Sequence, residues 1–225
     1  TGVDGAKSWP VDQTDSLQRL DSCIKELVSD RIGVFTIPGT SSSIDILLDE
    51  KTEVNDLRPY IDTIRRVKSA SEIQYMQEAA SIASSAHEKA MRNSRPGMGE
   101  WEIQAMVEGH FMSSQSQWSF PSIVGGGDNA TVLHYKDNNQ VIGSGDLVLV
   151  DAGCEVSGYA SDITRTWPVN GRFSQPQREI YNLVLKAELA GIEACQPGMP
   201  WVSMHEAVCV TIAEGLIELG VLNCT

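Results

Sequence analysis

Positive charge is scarce in the 225-residue chain: 17 Lys and Arg face 30 Asp and Glu, a formal charge of −13. Nucleic acids and anionic membrane surfaces reward clustered Lys and Arg, and no basic cluster here exceeds Arg65-Arg66 with Lys68, so both are excluded as partners. No apolar run approaches the roughly 20 residues that cross a bilayer, which excludes a spanning helix. Cysteines are few and odd in number, Cys23, Cys154, Cys195, Cys209 and Cys224, with no CxxC pair. They fit neither a disulfide framework nor a zinc knuckle, which implies a reducing compartment. No basic stretch followed by an apolar one marks a secretory signal. The expected location is the cytoplasm, with the mitochondrial matrix as the alternative, since a targeting segment would precede Thr1. Gly125-Gly126-Gly127 lacks the GxGxxG spacing and downstream GK of phosphate loops and reads as a turn between strands.

What is present concentrates between Gly145 and Asn170, GDLVLVDAGCEVSGYASDITRTWPVN. Leu147 to Val150 is an apolar run bounded by Gly145-Asp146 and Ala152-Gly153, which reads as a strand buried on both faces with another strand to follow. If Val156 and Ser157 form a hairpin tip, Glu155 stands opposite Gly158 and Asp151 faces Asp162 directly. Opposed residues have Cβ atoms roughly 4.5 to 5.5 Å apart. Two ionised carboxylates that close repel, so one holds its proton unless a cation sits between them. Oxygen contacts favour hard or borderline cations, manganese or magnesium first, with cobalt or zinc if a histidine joins. Thr164 shares the face of Asp162 and is placed to orient a ligand oxygen. A pair of solvated acids at a hairpin rim explains the same spacing, and spacing alone leaves the two readings level. Cys154 alternates to the face opposite Asp151 and reads as a small buried thiol.

Two adjoining segments carry a family resemblance. TVLHYKDNNQVIGSGDLVLVD, residues 131–151, and VDAGCEVSGYASDITRTWPVNGRF, residues 150–173, resemble the aminopeptidase P branch of the pita-bread metallopeptidases. The likeness runs from about Arg65 to the C-terminus. It implies an aminopeptidase that cuts the bond between an N-terminal residue and proline, using two divalent ions, manganese first and cobalt or zinc as alternatives. It implies that Asp151 binds one ion and Asp162 bridges both. It also implies that His134, in the LHY motif, is catalytic and contacts substrate beside the metals; taken alone, a histidine between Leu133 and Tyr135 in an apolar strand is more often a structural residue. Phe120 stands where many relatives carry an aromatic, often tyrosine. The implied partners are peptides with proline in second position, and a homo-oligomer by analogy. The TRTWPVNGRF continuation resembles aminopeptidase P more than Xaa-Pro dipeptidase or methionine aminopeptidase. The remaining ligands that the resemblance implies, a histidine and two glutamates, lie downstream of where this sequence stops. The chain is therefore expected to be truncated at both ends, to bind metal weakly and to hydrolyse little alone. A noncatalytic pita-bread binding module or remnant is the alternative, which a stop codon after Thr225 would favour.

The expected fold class is α+β: an incomplete pita-bread domain, creatinase/aminopeptidase-like, with a curved antiparallel sheet and helices on one face. Residues 1–64 read as the C-terminal part of a creatinase-like N-terminal domain, with a helix from Ser16 to Val28, a strand from Arg31 to Ile37 and a Ser/Gly/Pro stretch from Pro38 to Ser43. Residues 65–225 read as the first half and the start of the second half of the catalytic domain. An internal echo supports that division: helix, Arg95-Pro96-Gly97-Met98, helix recurs 101 residues later as helix, Gln196-Pro197-Gly198-Met199, helix. Ser69 with Glu72 makes a capping-box pattern, and Ile73, Met76, Ala80, Ala83, His87 and Ala90 follow as an apolar stripe. Ser174 with Gln177 makes another, with Pro176 in the first turn and Ile180, Leu183, Val184, Ala187 and Gly191 as the buried face. His87, His110 and His205 read as structural residues.

Overall fold

The computed structural model describes residues 2–7, 10–12, 14–29, 33–48 and 53–223. Cys224, and Arg31 at the start of the expected first strand, lie outside them. The chain divides into two compact units, one up to Ser69 and the other from Ala70 onward. The expected cut after residue 64 falls inside a helix, so the division lies five residues later.

In the first unit, α1 (Leu20–Val28) follows a 3-10 turn capped by Ser16, whose Oγ accepts from the Gln18 amide at 3.3 Å. Then come β1 (Gly33–Thr36), a single-turn α2 (Ser42–Asp45), β2 (Glu53–Asp56) and α3 (Arg58–Arg66). β1 and β2 pair in parallel, Val34 against Val54. The second strand carried no periodic apolar signal, because Glu53, Asn55 and Asp56 leave Val54 alone among polar residues.

The second unit runs α4 (Ala70–Asn93), α5 (Glu100–Ser113), β3 (Gln117–Trp118), β4 (Ile123–Gly126), β5 (Leu147–Ala152), β6 (Cys154–Val156), β7 (Tyr159–Ala160), β8 (Ile163–Pro168), α6 (Gln175–Ala194) and α7 (Val202–Glu218). The helix, helix, strands, helix, helix order is as the sequence implies. Two three-stranded antiparallel sheets form, β4-β5-β8 and β3-β6-β7. One face of β5 presents Val148, Val150 and Ala152, all buried, against Ala79, Ala83, Ala86 and Ala90 of α4 and Ile103, Val107 and Phe111 of α5. Burying each Val or Phe contributes roughly 1.5 to 3 kcal/mol, and the alanine row lets α4 lie close to the sheet. Cys154 joins this core, its thiol directed to the Ala79 carbonyl oxygen at 3.3 Å.

Several expectations about buried faces need correction. β5 is not buried on both faces: Leu147 and Leu149 are only partly covered and line an apolar cavity of about 920 Å3 against Ile180, Val184 and Leu189 of α6. On α4 the stripe holds at Ala83, His87 and Ala90, but Ile73 and Met76 are exposed and the buried row runs through Ala79 instead of Ala80. On α6, Leu183, Ala187 and Gly191 are buried while Ile180 and Val184 are exposed. The capping box at its start forms as read, Ser174 accepting from the Gln177 amide at 3.4 Å and Gln177 accepting in return from the Ser174 amide at 2.9 Å.

The hairpin register also differs from the expected one. Val156 pairs with Tyr159 and Glu155 with Ala160, so the tip is Ser157-Gly158 rather than Val156-Ser157. A two-residue turn that matches the strand twist needs positive φ at both central positions, and Ser157 and Gly158 have +51° and +84°. A β-branched valine would be strained there. In β5 and β8 the same register sets Asp151 opposite Thr164, with Asp162 diagonal to it.

The two Pro-Gly-Met elements adopt one turn. Gly97 and Gly198 have φ of +89° and +85°, and the amides of Met98 and Met199 close back on Arg95 and Gln196 at 3.2 and 3.1 Å. This is the type II pattern, Pro then Gly at the centre. The surroundings diverge: after the first turn Glu100 is fully buried, whereas at the matching place after the second Trp201 is 86% exposed.

Candidate functional site

Asp151 is the penultimate residue of β5, on the face opposite α4 and α5, and Asp162 immediately precedes β8 on that same face. Diagonal neighbours on an antiparallel pair are roughly 7 to 8 Å apart at Cα, within reach of side chains that lean together. They do lean together: both line a cavity of about 270 Å3 with Phe120, Pro121, Ile123, His134 and Lys136. Ile123 is the direct β4 partner of Asp151, which is how that strand brings its own side chain to the rim.

The electrostatics are those of two acids with too few donors. Asp162 is pushed above the ordinary carboxylate range by burial, by the charge of Asp151 and by a hydrogen bond shared with Asp151. Ionised, neither carboxylate donates, and Asp151 Oδ1 is buried with no hydrogen-bond partner among the described residues. A proton held on Asp162 or a cation between the acids relieves both problems. An all-oxygen pair with an orphaned buried acceptor fits a hard or borderline divalent cation. Asp151 and Asp162 are the residues placed to hold it. Among the described residues no group of three or more His, Cys, Asp or Glu gathers, so these two carboxylates are the ligands on offer.

His134 is brought to the cavity, but not on a strand. Residues 127–131 form a 3-10 turn, and Val132 to Gln140 follow as irregular backbone in which His134 is exposed with φ +55°. The left-handed conformation at His134, and again at Asn138 with φ +45°, is incompatible with a continuous ladder. Side chains hold this segment instead. Asn138 is buried; its Oδ1 accepts from the Val124 amide at 2.9 Å, and its Nδ2 donates to the Ser122 carbonyl at 2.8 Å and to Gln104 at 2.9 Å. Glu100 is buried on the other side and accepts from the Gly126 amide, Asn129 Nδ2, the Tyr135 hydroxyl and the Gln140 amide at 2.8 to 3.0 Å. Burial raises the Glu100 carboxyl, but those four hydrogen bonds outweigh it and leave it below its ordinary value.

Sequence reasoning missed Lys136, Pro121 and Ile123 as cavity residues, and gave Phe120 its place only by likeness. The alternation of His134 and Lys136 around the anchored Tyr135 was the available signal for Lys136. Gly125 and Gly126 lie within β4 rather than in a turn, and Gly127 opens the 3-10 turn. His87 is a core residue as read, its Nδ1 on the Ala83 carbonyl at 2.9 Å, although its Nε2 is buried without a partner among the described residues. His110 on α5 and His205 on α7 do not line the cavity; His205 Nε2 lies 3.4 Å from Cys209 Sγ, one turn along α7. Among the described residues no helix is long and apolar enough to cross a membrane.

Residues 74–222 match the model of metallopeptidase family M24. The chain is 40% identical over 218 residues to the Xaa-Pro aminopeptidase of Haemophilus influenzae, covering 95% of this chain and 51% of that protein. It is 34% identical over 230 residues to the mitochondrial intermediate cleaving peptidase 55 of Arabidopsis thaliana, covering 99% of this chain and 47% of that protein. The structure superposes on aminopeptidase PepP of Pseudomonas aeruginosa with a TM-score of 0.94 at 36% identity, covering 100% of this chain and 55% of the other. It also superposes on Escherichia coli aminopeptidase P in complex with substrate, TM-score 0.92 at 32% identity, covering 98% and 54%. The chain thus spans about half the length of the curated relatives it matches.

Proposed function

The chain belongs to metallopeptidase family M24 and shares the pita-bread fold of aminopeptidase P, and from that premise we propose that it carries the aspartate half of a metal-dependent aminopeptidase releasing the N-terminal residue from Xaa-Pro peptides. The observation that carries the reading is the buried Asp151 Oδ1, without a hydrogen-bond partner among the described residues, beside Asp162 in a cavity shared with His134.

In this proposal Asp151 would hold one divalent ion and Asp162 would be a ligand shared by two, manganese first, with cobalt and zinc as alternatives. Held there, the ions would supply Lewis acidity and make a nearby water more acidic. The chain's own residues orient the peptide. His134, exposed in the cavity on a held segment, donates to the carbonyl of the scissile bond. Phe120, Pro121 and Ile123 give an apolar wall for the proline ring, whose amide nitrogen carries no hydrogen to satisfy. Lys136 meets an anionic group of the substrate. Two carboxylates are too few for a firmly held ion pair, so the 225 residues by themselves bind metal weakly and hydrolyse little. Cytoplasmic placement and self-association belong to the same proposal.

The test is peptide hydrolysis by the protein carrying this chain, loaded with manganese. Release of the first residue from Xaa-Pro-Xaa peptides is expected. Turnover of Met-Ala-Xaa peptides in its place would move the chain to the methionine branch, and binding of peptide without any turnover would favour the noncatalytic module.

A further inference from the structure

Glu100 is the first residue of α5, far along the chain from the acids, yet it sits at zero exposure. Its Oε1 accepts from the Gly126 amide at 2.8 Å and from Asn129 Nδ2 at 3.0 Å; its Oε2 accepts from the Tyr135 hydroxyl at 2.8 Å and the Gln140 amide at 3.0 Å. The Glu100 amide also donates to the Gln140 carbonyl at 2.9 Å, and Asn129 Nδ2 reaches the Tyr135 hydroxyl at 2.9 Å. One carboxylate therefore ties down four points of a segment that has no ladder of its own between Gly126 and Gln140. Buried carboxylates are costly unless fully hydrogen-bonded, and this one is saturated by charge-assisted bonds, the stronger class. Tyr135 is the central anchor, and its immediate neighbours, His134 and Lys136, both line the cavity that holds Asp151 and Asp162.

We propose that Glu100, acting through Tyr135, is a positioning residue that fixes His134 against the aspartate pair. It touches neither substrate nor acids and works by setting where His134 stands. The claim rests on the aminopeptidase reading for its kinetic consequence, though not for its structural one. A displacement of about 1 Å in a positioned group costs on the order of 100-fold in rate.

The decisive comparison uses the protein carrying this chain, with Tyr135→Phe and Glu100→Gln made alone and on a His134→Ala background. Tyr135→Phe removes one of the four bonds to Glu100, together with the contacts of Asn129 and Asn139 to the hydroxyl, and leaves three bonds on the carboxylate, so it remains informative where Glu100→Gln does not fold. Each change is expected to lower kcat on an Xaa-Pro-Xaa peptide about 10-fold or more, with manganese content unchanged, and to lower the residual rate of His134→Ala less than about 2-fold. Equal losses on both backgrounds, or an unaltered kcat, would overturn the proposal. Amide hydrogen exchange separates this from failure of the aminopeptidase reading. Where the wild type turns over no Xaa-Pro peptide, Tyr135→Phe should still accelerate exchange at residues 132–137 about 10-fold while the Ser157-Gly158 hairpin stays as in wild type. Unchanged protection of residues 132–137 would overturn the anchoring.

Discussion

Asp151 pairs with Thr164 across the β5–β8 ladder and meets Asp162 on the diagonal. The two acids share a face without sharing a rung, and Thr164, the rung partner of Asp151, lines the cavity against α6 and not the one that holds the acids. Replacing either acid therefore leaves the ladder intact. Asp162→Asn in the protein carrying this chain is expected to fold normally, to lose manganese uptake and to lose about 100-fold or more in Xaa-Pro hydrolysis. Undiminished manganese by elemental analysis would count against the bridging role.

Acid should unfold the second unit partly through Glu100. Its carboxyl is held below the ordinary value in the folded chain and returns to that value on unfolding. The unfolded state then binds the proton more readily, so the stabilisation is complete above the ordinary glutamate value and disappears as pH falls through the lowered folded one. Glu100→Gln should cost about 2 to 3 kcal/mol near neutrality and flatten the acid limb of a stability-versus-pH curve. A variant with the same acid limb as wild type would show that the carboxylate is not the titrating group.

Ser157 occupies a left-handed position at the β6–β7 tip next to Gly158. Asn-Gly is the favoured pair for this turn, so Ser157→Asn should stabilise the chain by about 0.5 kcal/mol in urea unfolding. Destabilisation would mean that the tip lies elsewhere, and with it the register of the acids.

Lys136 lines the cavity that also holds Asp151 and Asp162. Substrates ending in a free carboxylate should have a KM about 5- to 10-fold lower than the same peptides as C-terminal amides, and Lys136→Met should erase the difference, the worth of one exposed charged contact. Equal KM values for acid and amide in wild type would remove Lys136 from substrate recognition.

Much of this was readable from residues alone, and the misses share a cause. Asp151 and Asp162 were legible because the register differs from the expected one by two residues, and a slip of two keeps both side chains on one face. The rung was not, since it depends on which residues of Val156-Ser157-Gly158 accept positive φ. Helix starts at Glu100 and Gln175 were legible from caps and turns. The segment bearing His134 was misread as a strand because Val132, Leu133 and Tyr135 imitate one; what shapes it is a set of side-chain bonds from Glu100 and Asn138, contacts distant in sequence that leave no local pattern. The exposed faces of α4 and α6 were misjudged for a similar reason, as periodicity marks an apolar stripe without saying how much of it is covered.

Gly153 separates β5 from β6, and a Cβ built there would overlap the Ser161 carbonyl oxygen. Every single-base change that alters a glycine codon adds a Cβ or ends the chain. In a saturation library screened for folded protein, this site should hold one amino acid while its flanks drift, because the ladder breaks at Gly153 just where Asp162 must come close to Asp151. The chemistry of two acids is thus secured by a neighbour that contributes no side chain at all.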